Sequence, residues 1–271
     1  MNESEKFNFG NDAVAKAYDS ILVPILFEPW AKSLIKENQP WVGNHVLELA
    51  CGTGVVTKEL AQHVLPTGKV TALDINKQMI DLAKLKCVEW ANHTEFIEGS
   101  ADSLDIPNQS IEKVVCQQGF QFFPNKEVVA QEIYRVLKPR GKAILSTWCS
   151  VSECEIFGAI CESLEALGLN ETSQLMQIPF NLTQNDLLTP FNAVGFSTAD
   201  VTKHKQKMYL EGGISSAITV AYSTPIGPKL KTLSDEKQEE FKKILLDKIK
   251  QLNGKDGSVG SMVSHVLNVE K

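Results

Sequence analysis

The sequence predicts an α/β fold with a doubly wound sheet of seven strands, parallel over the regular alternation, and three observations predict it. From residue 46 to residue 148, short apolar runs alternate with stretches of helical apolar periodicity, the pattern of repeated βα units. The first of these runs, Val46-Leu47-Glu48-Leu49-Ala50-Cys51-Gly52-Thr53-Gly54, reads as a strand that ends in a glycine turn and opens a helix. About twenty residues past the glycines, Lys69-Val70-Thr71-Ala72-Leu73 leads to Asp74, where nucleotide-binding α/β folds place a carboxylate for ribose hydroxyls.

Taken in order, residues 12–37 read as two helices. Val14, Tyr18, Ile21, Leu22, Ile25 and Leu26 share one face, and Trp30, Leu34 and Ile35 form another after a break at Pro29. The alternation then gives strand 46–50, helix 55–64, strand 69–73, helix 76–90, strand 94–98, strand 111–116, helix 125–137 and strand 142–148. Val55, Val56, Leu60 and Ala61 supply the apolar stripe of the helix after the glycines, whose free amides would face an anionic group. Beyond 150 the pattern loosens. Residues 153–168 suit a helix, a loop passes through Pro179, Pro190 and Gly195, and short strands are expected near 196–202 and 265–269. Between them, Phe241, Leu245, Ile249 and Leu252 stripe an amphipathic helix over 234–252, followed by glycines at 254, 257 and 260 that suggest a mobile connection.

Composition narrows the functional classes. The chain has 271 residues, 43% of them hydrophobic, enough for one large α/β domain or a core with a cap. Net charge is −6, and Arg135 and Arg140 are the only arginines, which argues against nucleic acid and for a small-molecule ligand. The six cysteines lack CxxC spacing, favouring reduced thiols in a cytoplasmic protein, and no metal-binding pattern is visible. The first ten residues show no signal-peptide pattern, and the run 21–27 is too short to span a membrane and contains Pro24, so no membrane insertion is expected.

In a doubly wound sheet, ligands gather at the carboxyl ends of the strands. That brings together Ala50, Cys51, Gly52, Gly54, Asp74, Ser100, Ala101 and the residues from Cys116 to Gly119. Gln117 and Gln118 close the fourth strand, where a backbone carbonyl and a side-chain amide can both face a bound ligand. Phe120, Phe122 and Phe123 precede Pro124 as an aromatic loop, with Phe122 the first candidate for the acceptor wall and Trp148 a second. The Gly-x-Gly-x-x-Gly pattern of dinucleotide sites requires Gly or Ala where Thr57 stands, so a nicotinamide-dependent oxidoreductase is the weaker reading.

These motifs resemble, in order, those of the class I S-adenosylmethionine-dependent methyltransferases, in particular their UbiE-like small-molecule group. Glu48 to Gly54 resembles the first motif, Leu73-Asp74-Ile75-Asn76 with Met79 the second, Glu98 to Leu104 the third, and Val114 to Gly119 the fourth. Arg135 to Lys142 resembles the turn into the fifth strand. The resemblance covers about residues 10–150 and implies a Rossmann-like fold, S-adenosyl-L-methionine as cofactor and a quinol-like, aromatic or secondary-metabolite acceptor. It further implies cofactor contacts at Tyr18, Glu48, Ile75 and Met79, a helical cover over 1–40, a cofactor-binding core over 41–150, and the remaining strands with an inserted helical cap over 151–271. Two positions depart from it: Ala50 replaces a glycine, and Ser100 replaces an aspartate that faces the adenine amine. Protein or nucleic-acid methylation remains an alternative, although Gln117-Gln118-Gly119-Phe120 is not the Asn/Asp-Pro-Pro-aromatic run of base-amine methyltransferases. No catalytic base is assigned; His265, following the glycines, is the one histidine expected to reach the site from the cap. The number of subunits is not legible.

Overall fold

The computed structural model describes residues 12–271, and side chains from residue 15 onward; Val14 therefore lies outside the described side chains. A seven-stranded sheet runs in the order β3-β2-β1-β4-β5-β7-β6. Its strands are β1 His45–Leu49, β2 Lys69–Asp74, β3 Thr94–Glu98, β4 Ile111–Gln117, β5 Leu137–Trp148, β6 Thr198–Tyr209 and β7 Ser258–Glu270. β3, β2, β1, β4 and β5 are mutually parallel, with Glu48 level with Ala72 and with Val115. β7 runs against β5: Arg140 N donates to Lys271 O, and Cys149 N donates to Val263 O, so one strand ascends as the other descends. The five strands expected as a parallel doubly wound sheet are parallel, and the addition of β7 makes the seven-stranded sheet mixed.

The chain divides into two compact units. One comprises Phe27–Thr147, Leu182–Lys203 and His265–Lys271. Its core packs both faces of the sheet, with Leu47, Leu49, Val114, Cys116, Ile133 and Phe191 in one cluster and Ile35, Trp41, Val46, Leu60, Val70 and Ile144 in another. The strands are apolar on both faces because helices cover both. The helices are α2 Glu28–Glu37, α3 Val55–His63, α4 Lys77–Lys86, α5 Lys126–Val136 and α8 Gln184–Val194. α8 covers residues expected as loop: Thr183 and Asp186 form a capping box, Leu187 and Phe191 are buried, and Gly195 ends the helix at φ 98°. The buried Lys113 ammonium donates to the carbonyls of Asn38 and Pro40 and lies 4.1 Å from the Trp41 ring centre, tying the segment before β1 to β4.

The other unit comprises the described part of Met1–Leu26, with Trp148–Asn181 and His204–Ser264. Its helices are α1 Asp12–Ala17, α6 Glu155–Ala166, α7 Asn170–Gln177, α9 Ser216–Ser223, α10 Gly227–Lys231 and α11 Asp235–Gln251. α1 continues through Tyr18–Phe27 as a π-helix that contains Pro24, and this wider winding buries Val23 with Leu22 and Leu26 while Ile21 and Ile25 stay half-exposed. The 3.6-residue periodicity therefore misplaced that face. The chain enters α2 with Pro29 in its first turn, where a missing amide costs nothing, so Pro29 opens the second helix. α11 buries Phe241, Leu245 and Ile249 as its stripe predicts, packs on α6, and joins it through Lys248 and Glu162 at 2.6 Å.

The glycines after α11 do not form a loose connection. Gly254 N donates to Ser258 O, Gly257 N to Gly254 O and Gly260 N to Leu252 O, closing a turn that leads into β7. β7 accordingly starts at Ser258 rather than 265. His265 lies within that strand, 4% exposed, so the expectation that it enters from a mobile segment is corrected.

Candidate cofactor and acceptor site

The carboxyl ends of β1, β2, β3 and β4 are brought side by side by the parallel registers, and the chain makes a sharp turn at each of them. After β1 the backbone adopts left-handed conformations at Ala50, Gly52 and Gly54, with φ of 54°, 53° and 81°. Gly54 is required, since a Cβ there would lie 2.8 Å from Ala83 Cβ, and its absence lets α3 start tight against α4. Gly52 has nothing within 4 Å of the place a Cβ would take, so its backbone faces open space. No side chain caps the start of α3. Its leading amides remain a favourable place for a carboxylate.

Asp74 staples this loop. Its Oδ2 accepts from Gly52 N and its Oδ1 from Asn76 N, both at 2.8 Å, while its main-chain oxygen accepts from Gly99 N at 3.0 Å. The side chain is buried, and burial raises its pKa against those backbone hydrogen bonds. Asn76, two residues on, caps α4 by accepting from Gln78 N and Met79 N. Ile75 between them is 74% exposed, whereas Met79 is buried.

Glu48 lies beneath the loop, 2% exposed on β1, where burial lifts its carboxyl to about 8. The Thr57 hydroxyl donates to it at 2.5 Å. That bond explains Thr57: its side chain fills the position of a third glycine with a group that satisfies a buried acid. Cys51 is buried beside these carboxylates, and desolvation drives its thiol pKa well up. The uncapped helix start suits a ligand that carries a carboxylate.

The β4 end holds the second half of the site. Gln118 has φ 55°, is buried, and its N–H donates to Ser146 O, tying β4 to β5 at the turn. Gln117 Nε2 donates to the Phe27 carbonyl at 3.1 Å. A Cβ on Gly119 would lie 2.5 Å from Ala50 Cβ, so the turns after β1 and β4 touch. Ser100 is half-buried at the β3 end, while the Ala101 side chain belongs to the apolar core, which leaves only its backbone for a ligand. In the aromatic loop Phe120 is fully buried, with Phe123 and Phe191 rings at 5.9 and 5.5 Å; Phe122 and Phe123 are half-buried, Phe123 being packed against the core. Tyr18 and Trp148 belong to the other compact unit, the first half-buried in the π-helix and the second 3% exposed at the end of β5. Among the described residues no cluster of His, Cys, Asp or Glu is arranged to hold a metal. The Asn76 cap and the Glu48–Thr57 pair were not anticipated, although Asp-x-Asn before a helix is a readable capping signal.

A glycine turn, a carboxylate staple and crossing helices at the carboxyl edge of a parallel sheet define a Rossmann-like nucleotide-binding α/β protein. Residues 46–141 match the family described as "Methyltransferase domain", so this region of the chain is similar to the methyltransferase domains of that family. Among curated relatives, the demethylmenaquinone methyltransferase of Lactococcus lactis is 34% identical over 137 residues, covering 49% of this chain and 54% of that protein. That of Lactobacillus johnsonii is 39% identical over 121 residues, covering 44% and 50%. The match thus spans about half the length of these relatives. Among solved structures, YcgJ of Bacillus subtilis covers 89% of this chain and 97% of its own at a TM-score of 0.58 and 18% identity. The phosphoethanolamine N-methyltransferase 2 of Haemonchus contortus covers all of this chain and 60% of its own at 0.64 and 14%. These two similarities concern the fold.

Proposed function

We propose that the protein is a methyltransferase that transfers the methyl group of S-adenosyl-L-methionine to a small, quinol-like acceptor by in-line displacement. The observation that carries the reading is the staple between Gly52 and Asp74, which fixes an open, side-chain-free backbone against a carboxylate at the ligand edge of the sheet. Gly52, Gly54 and the start of α3 would hold the methionine carboxylate, Asp74 the ribose, and Ile75 with Met79 the adenine; the Gln117–Gln118 turn would accept from the ammonium. Each Asp74 oxygen has one loop amide and keeps a lone pair for a ribose hydroxyl. The cofactor supplies an electrophilic methyl on a sulfonium sulfur. The chain's own contribution is alignment and dryness, with Phe122 and its neighbours limiting water where the acceptor would lie. Quinol chemistry is taken from the names of the curated relatives. No helix among the described residues is long and apolar enough to cross a membrane, and the six free, buried cysteines accord with a reducing compartment, so a cytoplasmic site of action is part of the proposal.

Calorimetric titration with S-adenosylmethionine and S-adenosylhomocysteine tests the reading. Both bind the wild type and neither binds Asp74→Ala; a wild type that binds neither ends the proposal. A fluorescence titration with reduced nicotinamide cofactor gives no signal, because Thr57 occupies the place where a pyrophosphate would need a glycine.

A further inference from the structure

The turn after β4 carries a concentration of unmet hydrogen-bonding capacity. Gln117 Oε1, and both Oε1 and Nε2 of Gln121, are shielded from solvent and have no hydrogen-bond partner. Leaving such a group unpaired costs roughly a factor of ten in a folding equilibrium, so chains retain it where something else completes the bond. Gln121 lies in the single helical turn Phe120–Phe122, directly after the carboxyl end of β4, the sheet edge where ligands gather. The turn is held by its backbone. Phe122 N donates to Gly119 O, and the Lys126 ammonium donates to the main-chain oxygens of Phe123 at 2.9 Å and Gln121 at 3.5 Å. The Gln121 amide takes no part in that arrangement, and its aromatic neighbours offer no acceptor or strong donor.

We propose that Gln121 is an acceptor-binding residue that grips a ring hydroxyl of the quinol-like acceptor, a group that neither an ammonium nor a carboxylate could replace there; this rests on the methyltransferase reading above. The amide presents one acceptor and two donors. A hydroxyl answers with one donor and two lone pairs, so a single group satisfies Oε1 and Nε2 together. An ammonium satisfies only the oxygen, and a carboxylate only the nitrogen while setting its charge against the oxygen. Phe122, one residue on, supplies a flat apolar surface for the rest of the ring. Gln121 neither takes nor gives the reacting proton; it orients the hydroxylated ring relative to the cofactor methyl.

The test uses the full chain saturated with S-adenosylhomocysteine, with 1,4-dihydroxynaphthalene and its dimethyl ether as probes under anaerobic conditions. Wild type binds the diol at least about tenfold more tightly than the ether. Gln121→Met, which keeps length and removes the orphaned groups, brings that ratio close to one, leaves S-adenosylhomocysteine affinity unchanged, and melts at the wild-type temperature or above. A structural role would instead lower the melting temperature, and a Gln121→Met protein that melts lower or still discriminates overturns the proposal. So does equal binding of the two probes by wild type, or binding of neither, a measurement that needs no variant to fold. Failure of the wild type to bind S-adenosylhomocysteine is the separate result that ends the methyltransferase reading itself.

Discussion

Replacing Glu48 by Gln should shift the balance of stability toward the variant as the pH rises. The carboxyl is 2% exposed, and burial raises its pKa from 4.5 to about 8, with only the Thr57 hydroxyl to oppose the shift. Because the folded value lies above the unfolded one, the native state holds the extra proton. The associated stability is complete below pH 4.5 and is lost as the pH climbs toward 8. The slope approaches about 1.4 kcal/mol per pH unit, which over that interval sets a ceiling of about 5 kcal/mol. Gln keeps an oxygen for Thr57 and carries no titrating proton; its extra N–H imposes a cost of about 1–3 kcal/mol that does not vary with pH. Urea unfolding followed by far-ultraviolet circular dichroism at pH 5, 6, 7 and 8 should therefore show the difference between Glu48→Gln and wild type moving steadily in favour of the variant, by about 3 kcal/mol or more. A difference that is flat with pH, or that moves toward wild type, would refute the assignment of Glu48 as a buried, neutralised acid.

Ala50 has φ 54°, a left-handed conformation costing a residue with a Cβ about 1 kcal/mol, so Ala50→Gly should raise the melting temperature by a few degrees in calorimetry. Gly119→Ala places a methyl 2.5 Å from Ala50 Cβ and 3.0 Å from Cys116 Sγ and should cost about 2–3 kcal/mol; adding Ala50→Gly should recover part of that loss in a double-mutant cycle. Arg135 donates to the carbonyls of Leu104 and Ile106 and to the Glu132 carboxylate, a fork that lysine cannot reproduce, so Arg135→Lys should lose about 2 kcal/mol in chemical denaturation. The Arg135 guanidinium holds Glu132 below its ordinary pKa; that stability is present above the unfolded carboxylate value and is lost in acid, so the gap between Arg135→Lys and wild type should narrow as the pH falls below about 4.

β1, β2 and β4 were legible because they are largely buried and read as mostly apolar runs, whereas β3, half-exposed, was placed by its position in the alternation. β6 was read short because its outer half alternates Lys203, Lys205 and Lys207 with His204 and Gln206; charges of this kind protect a sheet edge and conceal a strand from a hydrophobicity reading. β5 begins five residues earlier than expected because Lys138-Pro139-Arg140-Gly141 looks like a turn, yet Arg140 and Gly141 exchange hydrogen bonds with Lys271. At the site, residue type and spacing located Asp74 and the glycines. They did not reveal that Asp74 binds Gly52, that Thr57 answers Glu48, or that Gln121 is left without partners, since each depends on contacts between segments distant in sequence or on burial after packing. Phe120 shows the same limit from the other side: three aromatics in one loop look alike in sequence, and packing against Phe191 decides which of them is core.

The strand order has a consequence for how the chain is made. β7 is inserted between β5 and β6, yet it is the last strand in the sequence. During synthesis both flanking strands leave the ribosome with an open hydrogen-bonding border, and that border closes only when the final thirteen-residue strand arrives. A product stalled before β7 would have a sticky, incomplete sheet, so quality control acting on this protein would have to recognise a sheet that lacks only that strand.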